Sequence, residues 1–235
     1  MKAENRYLDS TYLDLNPDWH REDALWKAKL IVAILKDHQI QSNSICDVGC
    51  GTGDILRCLR TSFPQSTLFG YDISNQVTRF WADDKVVSIG GGGFKLGNFH
   101  ELNTMHYDVL IMLDVFEHVR DPFTFLEGLK SHAKKFIFHI PLDLSACGVA
   151  RKTPLLNAWR NVGHISHYNK DLALEILADC GYSIIDWRYT GASLNAPNRT
   201  LKIRLASIPR KIFYWINKDL GVRLLGGETL LVLAE

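Results

Sequence analysis

Ser44-Ile45-Cys46-Asp47-Val48-Gly49-Cys50-Gly51-Thr52-Gly53-Asp54-Ile55-Leu56 is the stretch that decides the fold. Its first half is a short, mostly apolar run of strand type, and its middle carries glycines at 49, 51 and 53. Beyond Asp54 the apolar residues Ile55, Leu56 and Leu59 recur at helical spacing. The expected sequence of elements is strand, tight turn, helix. Alternate glycines let the backbone bend sharply and let a ligand lie against main-chain N–H groups. A turn that opens a helix adds unpaired N–H donors and the positive end of the helix dipole.

Working outward, Pro64 ends that helix, and Thr67-Leu68-Phe69-Gly70-Tyr71-Asp72-Ile73 reads as a second strand. Asp72 follows Gly53 by 19 residues, which completes a strand-helix-strand unit and sets a carboxylate beside the turn. A carboxylate there can accept both hydroxyls of a ribose; the plainer reading is a solvated aspartate at a strand end. The dinucleotide fingerprint G-x-G-x-x-G fits poorly, because its third glycine position is Asp54. Asp47 followed by Gly49, Gly51 and Gly53 instead resembles the first motif of class I S-adenosylmethionine (SAM)-dependent methyltransferases. That resemblance implies SAM as cofactor, with the turn against its methionine part.

Tyr107 to Leu113 is an almost continuous apolar run, as expected for a strand buried on both faces of a parallel sheet. Asp121 and Pro122 then form an N-cap and first-turn pair for a helix carrying Phe125, Leu126 and Leu129. Leu113-Asp114-Val115-Phe116-Glu117-His118-Val119 resembles the fourth strand and following loop of the group that includes the ubiquinone and menaquinone methyltransferases. The resemblance spans residues 44 to 186. It implies cofactor contacts from Asp47, Gly49, Cys50, Gly51, Thr52 and Gly53 in the turn and from Asp72 and Ile73 after the second strand. It extends them to Asn98 and Phe99 after the third strand and to Leu113 and Asp114 after the fourth. Asn98 stands where the family usually has an aspartate, and its amide oxygen can accept the same adenine amine. Phe99 reads equally as an adenine contact or as core.

Three readings stand for the Glu117-His118 pair. His118 is the first-choice general base toward a hydroxyl acceptor, since neutral imidazole accepts a proton near neutral pH. Alternatively the pair only packs its loop, or Asp114, Glu117 and His118 hold a divalent cation; no metal is assigned. His164 and His167 are second-choice bases, with a structural role at the start of the next helix as the competing reading. Segment 142–168 is expected to be an acceptor-binding lid, made basic and aromatic by Arg151, Lys152, Trp159 and Arg160.

Residues 1–43 read as a helical cap, with Leu25, Ala28, Val32 and Leu35 on one face. Trp19, His20 and Trp26 belong either to the acceptor pocket or to the cover of the sheet. Asn75 to Trp81 reads as a helix, Gly90 to Gly93 as a flexible loop, and Phe94 to Phe99 as a short strand. Lys135 to Pro141, Ser183 to Tyr189 and Thr229 to Ala234 complete the strands. The connection over 195–226 is a helical insertion whose basic, amphipathic core, Leu201 to Lys218, is broken by Pro209. It reads as a helix pair packed on the domain or as a peripheral contact with a membrane or lipid-linked acceptor.

These elements predict one α/β domain over 1–235, with its core at 44–235. Its sheet is doubly wound, seven-stranded and mostly parallel, a Rossmann-like methyltransferase fold. A formal charge of +1 argues against a dedicated nucleic-acid binder. Five cysteines without a C-x-x-C pair predict reduced thiols and a cytoplasmic protein, and no signal peptide or spanning segment is read. The expected activity is methyl transfer from SAM to a small-molecule acceptor, most readily at oxygen: a glycan, a quinone-like compound or another metabolite. The competing readings are a non-catalytic SAM-binding module and an NAD-dependent dehydrogenase. No motif sets an oligomeric state.

Overall fold

The computed structural model describes residues 5–9, 11–19, 21–82, 84–195 and 201–235. His20 lies outside them, as do positions 196–200 and the side chains of 201–206 and 209 in the insertion.

Among the described residues seven strands form one sheet: β1 (Ser44–Val48), β2 (Thr67–Asp72), β3 (Gly93–Leu96), β4 (Tyr107–Leu113), β5 (Ala133–Pro141), β6 (Ile184–Tyr189) and β7 (Thr229–Ala234). Their order is β3-β2-β1-β4-β5-β7-β6. β7 pairs antiparallel with β5 and β6, and the other pairings are parallel. The order reverses between β1 and β4, so a crevice opens at their C-terminal ends, the place where open α/β sheets bind ligands. The expected doubly wound, mostly parallel sheet is what forms.

Strand residues alternate between two apolar layers, as a side-chain period of two requires. Cys46, Phe69, Leu110, Met112 and Phe138 pack on one face with Leu126 and Leu129 of the Pro122–Leu129 helix. Ile45, Leu68, Val109, Ile111 and Ile137 pack on the other with Leu56, Leu59 and the Ala24–Asp37 helix. That helix turns inward Ala24, Ala28, Ile31, Ile34 and Leu35, whereas Leu25 is exposed. Of the expected face, Ala28 and Leu35 are buried and Val32 packs against the core, and Leu25 alone turns outward, while Ile31 and Ile34 add apolar area to the buried side.

Other departures are local. Asn75–Phe80 is a 3-10 helix capped by the Ser74 side chain. β3 stops at Leu96, because the Asn98 side chain accepts from His100 N and caps a turn over Phe99–Leu102. Asp121 and Asn169 cap their helices as expected. The long helix Leu201–Leu225 passes through position 209 and leaves helical geometry at Asn217 instead. Segment 142–168 contains short helices Ala146–Ala150 and Thr153–Asn157 and a π-helical turn over Ala158–Val162.

Candidate active site

At the β1/β4 crevice lies a cavity of about 420 Å³. Asp47, Gly49, Cys50, Gly51, Thr52, Asp72, Ile73, Asn98, Phe99, Leu113 and Asp114 line it from the sheet side, Gly53 lies outside the lining, and Tyr7, Tyr12, Trp19, Arg21, Lys27 and His118 close it.

Gly49 and Gly53 have φ of +81° and +83°, a region that L residues rarely adopt. Both are also close-packed. A Cβ on Gly49 would stand 2.4 Å from Val115 Cγ2, and one on Gly53 2.3 Å from Phe94 Cζ. The turn is therefore shaped as much by its protein neighbours as by a ligand.

Four of its N–H groups, where free donors were expected, are already bonded. Gly49 N and Cys50 N both donate to Tyr71 O, at 2.8 and 3.0 Å, and Gly53 N donates to Cys50 O. Gly51 N donates to Asp72 Oδ2 at 2.8 Å, and Ser74 N to Asp72 Oδ1 at 2.8 Å. Asp54, at the position of the missing third glycine, accepts from Thr52 Oγ1, Arg57 and Arg21. A pyrophosphate would meet carboxylates here rather than donors.

The acidic groups of the crevice differ in how they are partnered. Asp47 is buried, and its Oδ1 has no hydrogen-bond partner among the described residues. Burial, with Asp72 nearby, pushes its carboxyl up to about 8. Burial also raises the Asp72 carboxyl, against the two N–H donors it accepts from. Unpaired buried carboxyls of this kind are costly unless something completes them.

Asp114 is arranged differently. It sits at φ +53°, with Lys27 Nζ 2.6 Å from Oδ2 and His139 Nδ1 2.6 Å from Oδ1. Burial opposes its charge, but His139 and Lys27 outweigh that and hold the carboxyl well below the usual range. Asp114 is thereby committed to these two partners, which the sequence had not singled out, and is withdrawn from the cation set read with Glu117 and His118.

His118 Nδ1 lies 3.0 Å from Gly163 O and 2.9 Å from Tyr7 Oη. A carbonyl only accepts, so Nδ1 carries the proton and Nε2 the lone pair. Burial, with His164 close by, pushes the imidazole down to about 4. Glu117 is fully buried with neither carboxyl oxygen partnered among the described residues, and burial beside Asp114 raises its pKa well above the usual value. His118 Nε2 is 3.8 Å and His164 Nε2 4.0 Å from Glu117 Oε1. One ligand atom from each of these three residues lies within 4.8 Å of the others.

Other expected site residues stand further off. His164 Nδ1 contacts Asp143 Oδ2, as does His167 Nδ1 at 3.4 Å, and neither histidine lines the cavity. Arg151, Lys152, Trp159 and Arg160 also lie outside its lining, since the first turns of the expected lid project them to solvent. Segment 142–168 instead joins the N-terminal segment: Arg6 Nη1 donates to Trp159 O, Asn16 Nδ2 to Asn161 O and Tyr7 Oη to Val162 O. Asn98 and Phe99 both reach the cavity wall, although the Asn98 amide caps a turn and Phe99 is buried edge-on to Tyr71. Trp26 lies behind the wall, edge-on to His139.

Residues 19–186 match the family described as "Methyltransferase domain". The chain belongs to the methyltransferase domain family. A malonyl-[acyl-carrier protein] O-methyltransferase of Halalkalibacterium halodurans is 30% identical over 104 residues, 42% of this chain and 38% of that protein. The match therefore spans about two fifths of that relative's length. The fold is shared with magnesium protoporphyrin IX methyltransferase of Synechocystis PCC 6803 with bound SAH, at 20% identity, TM-score 0.59, and coverage of 89% and 82% of the two chains. It is shared also with the plantazolicin methyltransferase BpumL in complex with a monoazolic desmethylPZN analog and SAH, at 14% identity, TM-score 0.64, and coverage of 99% and 92%. The expected class I SAM-dependent methyltransferase and its Rossmann-like fold are borne out. Among the described residues no helix is long and apolar enough to cross a membrane.

Proposed function

We propose that this methyltransferase carries the methyl group of SAM to an oxygen of a small-molecule acceptor. The observation that carries the reading is the unpaired, buried Oδ1 of Asp47 near the end of β1, beside a turn whose N–H groups at 49, 50, 51 and 53 are already bonded. Such a site repels a pyrophosphate and suits a cationic ligand. In this reading Asp47 takes the ammonium of the methionine part, and Asp72, with Ile73 beside it, takes the ribose diol. Gly49, Cys50, Gly51 and Thr52 bound the cofactor from below, and Asn98, Phe99, Leu113 and Val115 enclose its base.

Methyl transfer from a sulfonium is an in-line displacement, so alignment of nucleophile, methyl and sulfur supplies most of the acceleration. An acceptor hydroxyl must also lose its proton. The lone pair of His118 Nε2 takes it, with Nδ1 fixed by Gly163 O and Tyr7. The oxygen preference is supported by the name of the relative that is 30% identical, an O-methyltransferase. A second reading is favoured by the unpaired Glu117 carboxyl: Glu117, His118 and His164 hold a divalent cation that polarises the acceptor oxygen.

Calorimetric titration with SAM, S-adenosylhomocysteine and NADH tests the cofactor, and transfer from methyl-labelled SAM to a panel of phenols, sugars and carboxylic acids tests the reaction. Saturable binding of the two sulfur nucleosides with labelled O-methyl product is expected. Binding without transfer to any acceptor supports the non-catalytic module instead. Transfer abolished by chelator dialysis and restored by a divalent cation selects the second reading.

A further inference from the structure

None of the described side chains of the Leu201–Leu225 helix lines the cavity, yet among the described residues it carries the most exposed apolar ones. Arg210 and Tyr214 face the domain: Arg210 Nε and Tyr214 Oη donate to Gly226 O at 3.1 and 3.2 Å, and Arg210 Nη2 to Leu225 O at 3.3 Å. On the opposite side Ile208 (58%), Ile212 (57%), Trp215 (88%) and Ile216 (70%) stand in solvent. Their spacing of four, three and one residues makes a single stripe down the helix. Lys211 is exposed at its border. A contiguous apolar stripe of this kind marks a contact surface.

Charge identifies the partner. From 196 to 218 the sequence has Arg199, Lys202, Arg204, Arg210, Lys211 and Lys218 and no acidic residue. With 27 Lys and Arg against 26 Asp and Glu in all, the rest of the chain has five more acidic than basic residues. The charge is thus polarised, basic around this helix and acidic elsewhere. Docking two copies through the stripe would press one basic segment against another. An anionic bilayer meets the same segment with opposite charge and repels the remainder of the protein.

We propose that this helix seats the protein on the surface of an anionic lipid bilayer. Ile208, Ile212, Trp215 and Ile216 enter the headgroup boundary, and Lys211 at the border of the stripe engages lipid phosphates. No described helix is apolar enough to span, so the contact lies in the plane of the interface.

Sedimentation of the full chain with phosphatidylcholine vesicles, with and without phosphatidylglycerol, tests the proposal. The protein is expected to pellet with the anionic vesicles only, and less so as salt rises. Lys211→Glu should weaken partitioning roughly fivefold or more. Ile212→Ser with Trp215→Ser should weaken it about tenfold or more. Both variants should keep S-adenosylhomocysteine affinity, which reports an intact fold, because none of these residues lines the cavity. Failure of the wild type to pellet with anionic vesicles overturns the proposal, as does equal pelleting of the variants. A wild-type dimer that Trp215→Ser makes monomeric also overturns it, and makes the stripe a contact between copies.

Discussion

The Lys27 ammonium lies 2.6 Å from the Asp114 carboxylate and ties the helix before β1 to the loop after β4. Asp114 holds a left-handed backbone there, at φ +53°, which an isolated loop would not keep. Lys27→Met leaves the carboxylate with His139 as its remaining side-chain partner. Removing one member of a buried pair costs about 3 kcal/mol or more, and the His139 contact places this case near about 2 to 3 kcal/mol. Urea denaturation of the variant checks the loss, and an unchanged midpoint would show that His139 alone suffices.

Asp47 makes stability depend on pH in the absence of cofactor. Its carboxyl titrates at about 8 in the folded protein against 3.8 for the ordinary group. Between those values the unfolded chain has released a proton that the folded chain still binds. Stability therefore falls as pH rises through this window, by at most about 1.4 kcal/mol per unit, and levels off above about 8. Asp72, raised in the same direction, adds to the slope. Melting curves from pH 5 to 9 should show the decline, flattened in Asp47→Asn; an identical slope in that variant would remove Asp47 as its source.

Much of this arrangement was legible because chemistry-bearing residues follow directly after apolar strands. Asp47, Asp72, Asp114 and His118 all sit at strand ends on the crevice, and β1, β2, β4 and β7 are apolar enough to be read without neighbours. β3 was read too long because it is a half-exposed edge strand, where periodicity is weak and the Asn98 cap decides the boundary. Lys27 and His139 were not legible: Lys27 is 87 residues from Asp114, and their pairing exists only once the helix has packed. The bonded state of the glycine turn was hidden for a related reason. Gly49 N and Cys50 N reach Tyr71 O only because the β1–β2 pairing runs on into the turn.

Asp72 holds the turn and, in the proposed reading, also the ribose of the cofactor. Asp72→Ala should weaken SAM binding by about 1 to 3 kcal/mol through lost ribose bonds. Because Gly51 N and Ser74 N lose their acceptor as well, the melting temperature should fall with it. Calorimetry and a thermal scan on one preparation separate the two effects. Unchanged SAM affinity in a destabilised variant would confine Asp72 to holding the turn.

His118 and Glu117 distinguish the two catalytic readings. With His118 as base, His118→Ala lowers turnover about 100-fold while SAM affinity holds. Glu117→Gln then changes turnover little, since burial beside Asp114 favours the uncharged carboxyl. With a cation bound, both variants abolish turnover and reduce metal content measured on the purified protein. Near-normal turnover of His118→Ala would leave its contacts with Tyr7 and Gly163 a purely structural role.

Gly49 faces two separate obstacles to a side chain, and a pair of variants divides them. Its φ of +81° alone costs an alanine about 1 to 2 kcal/mol. The new Cβ would also stand 2.4 Å from Val115 Cγ2, which forces repacking worth about 1 to 3 kcal/mol. Gly49→Ala should therefore lose both amounts, together with SAM affinity, because the turn moves against the cavity. Adding Val115→Ala removes the clash and leaves the backbone cost, so stability should recover in part. Full recovery would show that the left-handed turn imposes no cost of its own, and no recovery would place the whole effect in the backbone.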